Sequence, residues 1–333
     1  MIKHSLHSYF AFILAVIALA GCKKEEENLN KLTVSRLYIS ISGLDSLANH
    51  TLVYDPADIS PFSGAFQYLS TQSDTHGISF DDSTGSVYQV SAKKWGIKKF
   101  AVSIFGKLTE SSSFVDSGLL SPKEIAYRRK DSLLFIANNG DSTIRAFFNP
   151  SGSSGNRNEP KKKLKLDGKP WGICLNRDSL FIVLEGDRRE VQLSKILRAD
   201  TSKLSNKTKI TINGAVNLHG VFYYAKQDVL LLTDIGQEGS NSDGKIYIIE
   251  SAKALFASNS SVTPTRIIAG ANTFLGNPVD IDFDRRDGKN LIYVAEKLNK
   301  RILVFKLSDT GNAAPLNNQE LPGTPEAIYL DAR

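Results

Sequence analysis

The chain has 333 residues, with 41 Lys and Arg against 35 Asp and Glu, a formal charge of +6 and two cysteines. A chain of this length buries a full hydrophobic core, and two cysteines exclude a disulfide-stapled scaffold. The small basic excess, with no interleaving of aromatic and basic residues, speaks against nucleic acid as a partner.

Residues 1–21 read as a signal peptide. Lys3 supplies the positive start, and Tyr9 to Ala20 form an almost unbroken apolar stretch, shorter than the about 20 residues of a permanent membrane helix. The stretch runs into Leu19-Ala20-Gly21-Cys22, which resembles the lipobox of bacterial lipoproteins. That resemblance implies a lipid on Cys22 and attachment to the bacterial outer membrane, on its surface or its periplasmic face. An ordinary signal peptide with Cys22 near the cleavage point is the alternative. Residues 22–30 follow as a polar tether. Its Lys23-Lys24-Glu25-Glu26-Glu27 is similar to the surface-export signal of Bacteroidetes lipoproteins, and a plain solvated spacer is the other reading.

From residue 31 to 333 one pattern returns. The triplets are His76-Gly77-Ile78, Lys123-Glu124-Ile125, Trp171-Gly172-Ile173, His219-Gly220-Val221 and Val279-Asp280-Ile281, with a fragment at Glu326-Ala327-Ile328. Successive copies are 47, 48, 48, 60 and 47 residues apart. Each is followed by short β-branched and aromatic runs between Gly, Asp and Asn turns, such as Leu133 to Asn138 and Leu291 to Glu296. Such a period, with several strands per unit, predicts a β-propeller. The long step predicts an inter-blade loop around Ala257 to Phe274, and Ser251 to Ser258 a turn or two of helix. The run Lys161-Lys162-Lys163 with Lys165 and Lys169 reads as a solvated loop.

The sixth unit stops after its first strand, Pro325 to Leu330, while Arg36 to Ser40 and His50 to Asp55 match second and third strands. The fold class expected is therefore all-β: a six-bladed propeller whose last blade combines both ends of the domain. A seventh blade would require a degenerate unit within Asp45 to Ser70.

Pro170-Trp171-Gly172-Ile173 and Leu291 to Phe305 give the chain its resemblance to the NHL-repeat and YVTN-type propeller families, over nearly the whole of residues 31–333. The resemblance implies the fold and leaves function open, since such propellers include sugar-binding, protein-binding and hydrolytic members.

In a propeller the residue just before the Gly/Glu position of each triplet reaches the channel mouth. Around the ring it reads His76, Lys123, Trp171, His219, Val279 and Glu326. A repeat that served structure alone would be uniform here. His, Lys and Glu as polar contacts, with Trp171 as a stacking platform, predict a ligand-binding mouth; a wet channel lined with polar residues and no specific ligand is the competing view. His76 and His219, three units apart, would face each other. The ends of the middle strands carry Asn138, Asp234 and Glu296. These are oxygen ligands suited to calcium or another divalent cation, or simple turn caps. The resemblance to gluconolactonase-like six-bladed propellers would give such a cation a role, although that family's own motifs are not found around these residues. Cys174, in an apolar context, reads as core. There is no Gly-x-Ser-x-Gly elbow and no zinc-ligand or phosphate-loop spacing. The leading expectation is a lipid-anchored module binding a glycan, a small ligand or an envelope protein. The alternative is a metal-dependent, lactonase-like hydrolase.

Overall fold

One register position explains how the blades pack. The triplet residues Ile78, Ile125, Ile173, Val221, Ile281 and Ile328 are each no more than 5 % exposed, because each lies between its own blade and the next. The computed structural model describes residues 33–43, 49–69, 74–92, 96–148, 150, 160, 162–186, 189–195, 205–258 and 261–333. The signal peptide, Cys22 and the tether lie outside the described residues.

The described residues form six sheets. Blades I to V have the innermost strands Thr75–Asp81, Pro122–Arg128, Pro170–Asn176, Leu218–Tyr224 and Pro278–Phe283. In each, further strands add outward by antiparallel pairing. Blade VI is the composite. Its innermost strand, Thr324–Ala332, pairs with Ser35–Ser42 from the other end of the domain, and Tyr38 lies directly opposite Tyr329. Asn49–Tyr54 and Ala65–Leu69 complete that sheet. Asp45 to Ser70, the segment a seventh blade would require, thus supplies the outer strands of the sixth. Pairing the ends leaves no open seam in the ring.

Two expectations change. The extra residues of the long step are not one inter-blade loop: they are shared between the long hairpin Ile235 to Gly244 joining the second and third strands of blade IV, the segment before its fourth strand, and the stretch leading to blade V. The segment before the fourth strand holds a short helix, Ala252–Ser258, and a two-residue strand, Ser261–Val262, that extends the outer edge of blade III in parallel. Part of the lysine run is not a loop: Lys162–Lys165 is the outer strand of blade II, with Leu164 buried and lysines on either side, while Lys169 lies beyond it outside any strand. Charged residues on an edge strand deter pairing with another chain.

The glycines of the triplets mark where neighbouring inner strands touch. A Cβ on Gly172 would sit 2.2 Å from the His219 carbonyl oxygen, and one on Gly77 2.7 Å from the Ile125 nitrogen. Neither contact can be relieved by a side-chain movement. Gly172→Ala is therefore expected to lower the unfolding free energy by on the order of 3 kcal/mol, the upper range for overpacking, as read from urea melts. A midpoint equal to that of the wild type would show that blades III and IV are looser than this.

Candidate functional site

The inner strands begin at one rim, and all six carry the same irregularity there; in blade VI the register with Ser35–Ser42 shifts between Pro325 and Ala327, around Glu326. The register with the second strand shifts between Thr75 and Ile78, Pro122 and Ile125, Pro170 and Ile173, Leu218 and Val221, and Pro278 and Asp280. A bulge re-aims the side chain it contains. The bulged stretch holds His76, Lys123, Trp171, His219, Val279 and Glu326, which turns this register position out of the regular ladder.

Contacts then link neighbours around the mouth. Trp171 stacks on His219 with ring centroids 3.6 Å apart and planes 15° from parallel. The Lys123 ammonium lies 4.3 Å from the centre of the same indole. His76 Nδ1 is 3.6 Å from Glu326 Oε2. Glu326 accepts hydrogen bonds from Lys297 Nζ at 2.8 Å and from Ser42 Oγ at 2.5 Å. The indole is engaged from both adjacent blades, so it holds His219 and Lys123 in place rather than offering an open platform. Val279 turns into the hydrophobic core beside Ile41 and Ile328 and takes no part.

Burial decides the charge states. It pushes His76 down to about 3, with the Lys123 and Lys297 charges adding to the effect. His219 is driven well below the usual histidine range by the same causes in the same order. Both imidazoles are neutral at pH 7, and the His76–Glu326 contact is then not an ion pair. Burial also lowers Lys123, against the pull of Glu326. His219 is 3 % exposed, and neither of its ring nitrogens has a hydrogen-bond partner among the described residues. Buried polar atoms are ordinarily paired, so a donor and an acceptor are left available on the ring that stacks against Trp171.

The second set of residues does not converge. Asp234 accepts from the backbone nitrogens of Val216 at 2.8 Å, Asn217 at 2.8 Å and Gly236 at 2.9 Å, and from the Tyr247 hydroxyl at 2.9 Å. Glu296 accepts from the nitrogens of Asn277 and Asn299. Asn138 donates to the Gly118 carbonyl at 2.9 Å. All three fasten loops at the rim, and they do not form the oxygen cage calcium needs. Among the described residues no three His, Cys, Asp or Glu side chains group as a metal site.

Below the mouth, Glu124 of blade II hydrogen-bonds to Asp280 of blade V, the blade opposite. Asp280 also accepts from Ile281 N at 2.8 Å and Ile328 N at 2.7 Å. Asp282 repeats this with Phe283 N and Leu330 N, both at 2.7 Å, so these carboxylates tie blade V to blade VI. Beyond the pair lies a cavity of about 170 Å³ lined by residues including Ser79, Cys174, Asp282 and Tyr329. Burial pushes the Cys174 thiol up to about 11, and its Sγ accepts from Tyr223 N at 3.4 Å. A protonated, hydrogen-bonded thiol is not an activated nucleophile.

No protein-family model matches the sequence, and no curated protein matches it. Solved structures do. A provisionally assigned 6-phosphogluconolactonase from Bacteroides fragilis aligns with a TM-score of 0.62 at 10% identity, covering 92% of this chain and 99% of its own. The periplasmic gluconolactonase of Pseudomonas aeruginosa gives 0.56 at 11% identity, covering 89% and 99%. A chain of the nidogen/laminin complex gives 0.60 at 14% identity, covering 89% and 98%. At these identities the likeness is one of fold, and the ring is shared by proteins of unlike function.

Proposed function

We propose that the protein is a cell-envelope lipoprotein, held to the outer membrane through Cys22, whose propeller binds a small anionic ligand at the channel mouth. The carrying observation is His219, whose two ring nitrogens are buried without a partner among the described residues and whose ring stacks on the indole that Lys123 also contacts. A sugar acid suits this set: its carboxylate meets the ammonium groups and its hydroxyls meet the imidazole. Lys123 is the stronger contributor, since its charge rests over an indole while Lys297 is already paired with Glu326.

Calorimetric titration of the mature protein with glucuronate, gluconate and inorganic phosphate tests this. Lys123→Gln is expected to weaken the best of the three by at least about tenfold, which corresponds to the loss of one charge-assisted hydrogen bond. Equal affinity in the variant, or no heat with any of the three, would remove the reading. The lactonase-like alternative draws on the names of two fold neighbours alone. Of the oxygen ligands nominated for its metal, Asp234 and Glu296 are already engaged by backbone nitrogens, and among the described residues no cluster forms around them.

A further inference from the structure

We propose that the rim opposite the mouth is a membrane-docking face, with Ile104 and Phe105 entering the lipid surface to which the chain is tethered. This rests on the reading of Cys22 as lipidated, and the experiment below separates the two.

The inner strands run from the mouth to the far rim, so the loops joining third to fourth strands lie at that far rim. In blade I this loop is Ser103 to Lys107, between the strands Gly96–Val102 and Leu108–Val115. Ile104 is 83% exposed and Phe105 76% exposed. The next most exposed large apolar residue, Phe148 at 51%, ends the third strand of blade II at the same rim. Phe66 and Tyr68 of blade VI join Ser103, Phe105 and Lys107 around an adjoining groove of about 520 Å³. Adjacent fully exposed apolar side chains beside a lysine are the pattern of a segment that dips into a bilayer interface.

The route of the chain then names the occupant. Val34 exchanges backbone hydrogen bonds with Arg333 at 2.8 and 3.0 Å, at the far-rim end of blade VI. Val34 therefore enters blade VI at that rim. It does so beside the apolar loop: Arg36 donates to the Ile104 carbonyl and pairs with Asp55, and the Tyr68 hydroxyl donates to the Gly106 carbonyl at 3.0 Å. Ten residues lie between Cys22 and Thr33, eleven steps that give a reach of at most about 38 Å when fully extended. Laying the mouth on the membrane would use most of that reach in climbing the ring, since a seven-residue inner strand alone rises about 23 Å. The relaxed arrangement puts the far rim down and the mouth outward, where a dissolved ligand meets it.

Power-saturation electron paramagnetic resonance on the lipidated protein in anionic phospholipid vesicles tests the orientation. A nitroxide is attached to Phe105→Cys, and in a second sample to Glu238→Cys in the exposed hairpin at the mouth rim. The label at position 105 is expected to be accessible to oxygen and shielded from a water-soluble nickel reagent, and the label at 238 the reverse. Mass spectrometry of the same samples reports the acyl group on Cys22 independently. A second arm uses the Cys22→Ser chain without residues 1–21, added to the same vesicles. It is expected to bind weakly, and Ile104→Ser with Phe105→Ser to reduce that binding by about tenfold at an unchanged melting temperature. Water-like accessibility at position 105 in acylated protein, or vesicle binding indifferent to the double substitution, overturns the proposal. So does a co-purifying envelope protein that shields position 105 from both reagents, which would make the face a protein interface.

Discussion

Glu124→Gln is expected to leave the propeller unchanged near pH 4 and to stabilise it progressively above that pH. Glu124 occupies the position that is Gly or Ala in four of the six blades, and it meets Asp280 across the channel. Two carboxyl groups in hydrogen-bond contact share a proton. Burial, and then the Asp280 charge, raise Glu124 well above the usual carboxyl range. Asp280 is raised to about 7, chiefly by burial and against the hydrogen bonds from Ile328 N and Ile281 N. At neutral pH Glu124 therefore carries the proton. The unfolded chain releases that proton near its ordinary value of 4.5. Above that pH the folded state binds more protons, so stability is fully present in acid and is lost as pH rises, at about 1.4 kcal/mol per unit. A glutamine amide donates the same hydrogen bond and ionises in neither state. The variant's advantage over the wild type should therefore grow by about 1.4 kcal/mol for each pH unit above 4.5 over which Glu124 keeps its proton in the fold.

Urea melts of both proteins between pH 4 and 8 check this, and the difference between them is the quantity to follow. His76, lowered to about 3 from an ordinary 6.5, contributes a slope of opposite sign, because a depressed histidine loses stability as pH falls below 6.5. That slope is common to both proteins and cancels. Parallel curves would mean that Glu124 is ionised and hydrated in the folded channel.

The ring was legible because each blade repeats the same physical demand. An inner strand needs Ile or Val between blades and a minimal side chain where strands touch, and Ile78, Gly77 and their counterparts show both. The mouth was legible for a related reason: the one position that varies chemically is the one that a bulge releases from the ladder. Lys297 and Ser42 could not be read this way. They sit at or beside hairpins between second and third strands, whose lengths differ among blades, and they meet Glu326 only once the ring is closed. Glu124 and Asp280 lie 156 residues apart, and only the choice of six blades places them opposite each other. Their one signal was that both put an acid where glycine is the rule. Asn138, Asp234 and Glu296 were found at the expected strand ends, yet residue type alone does not distinguish a metal ligand from a cap. The direction of the neighbouring backbone nitrogens does, and it appears only in three dimensions. Lys162–Lys165 reads as a loop by charge, although Leu164 supplies the alternation of a strand.

His219→Leu separates function from stability at the mouth. A structural histidine makes hydrogen bonds, and replacing it destabilises the fold. His219 makes none among the described residues while its nitrogens lie buried. Each unpaired buried polar group costs about 1–3 kcal/mol, and leucine, close in volume, removes two. Against this stands the stack on Trp171, in which an aromatic pair contributes about 0.5–1.5 kcal/mol. The first effect is the larger, so the variant is expected to be more stable than the wild type by about 1 kcal/mol or more, and to lose measurable affinity for glucuronate. A gain in stability with a loss of binding is the signature of a group kept unpaired for a ligand. A less stable variant with undiminished affinity would make His219 part of the scaffold, and the binding site would have to be sought elsewhere on the ring.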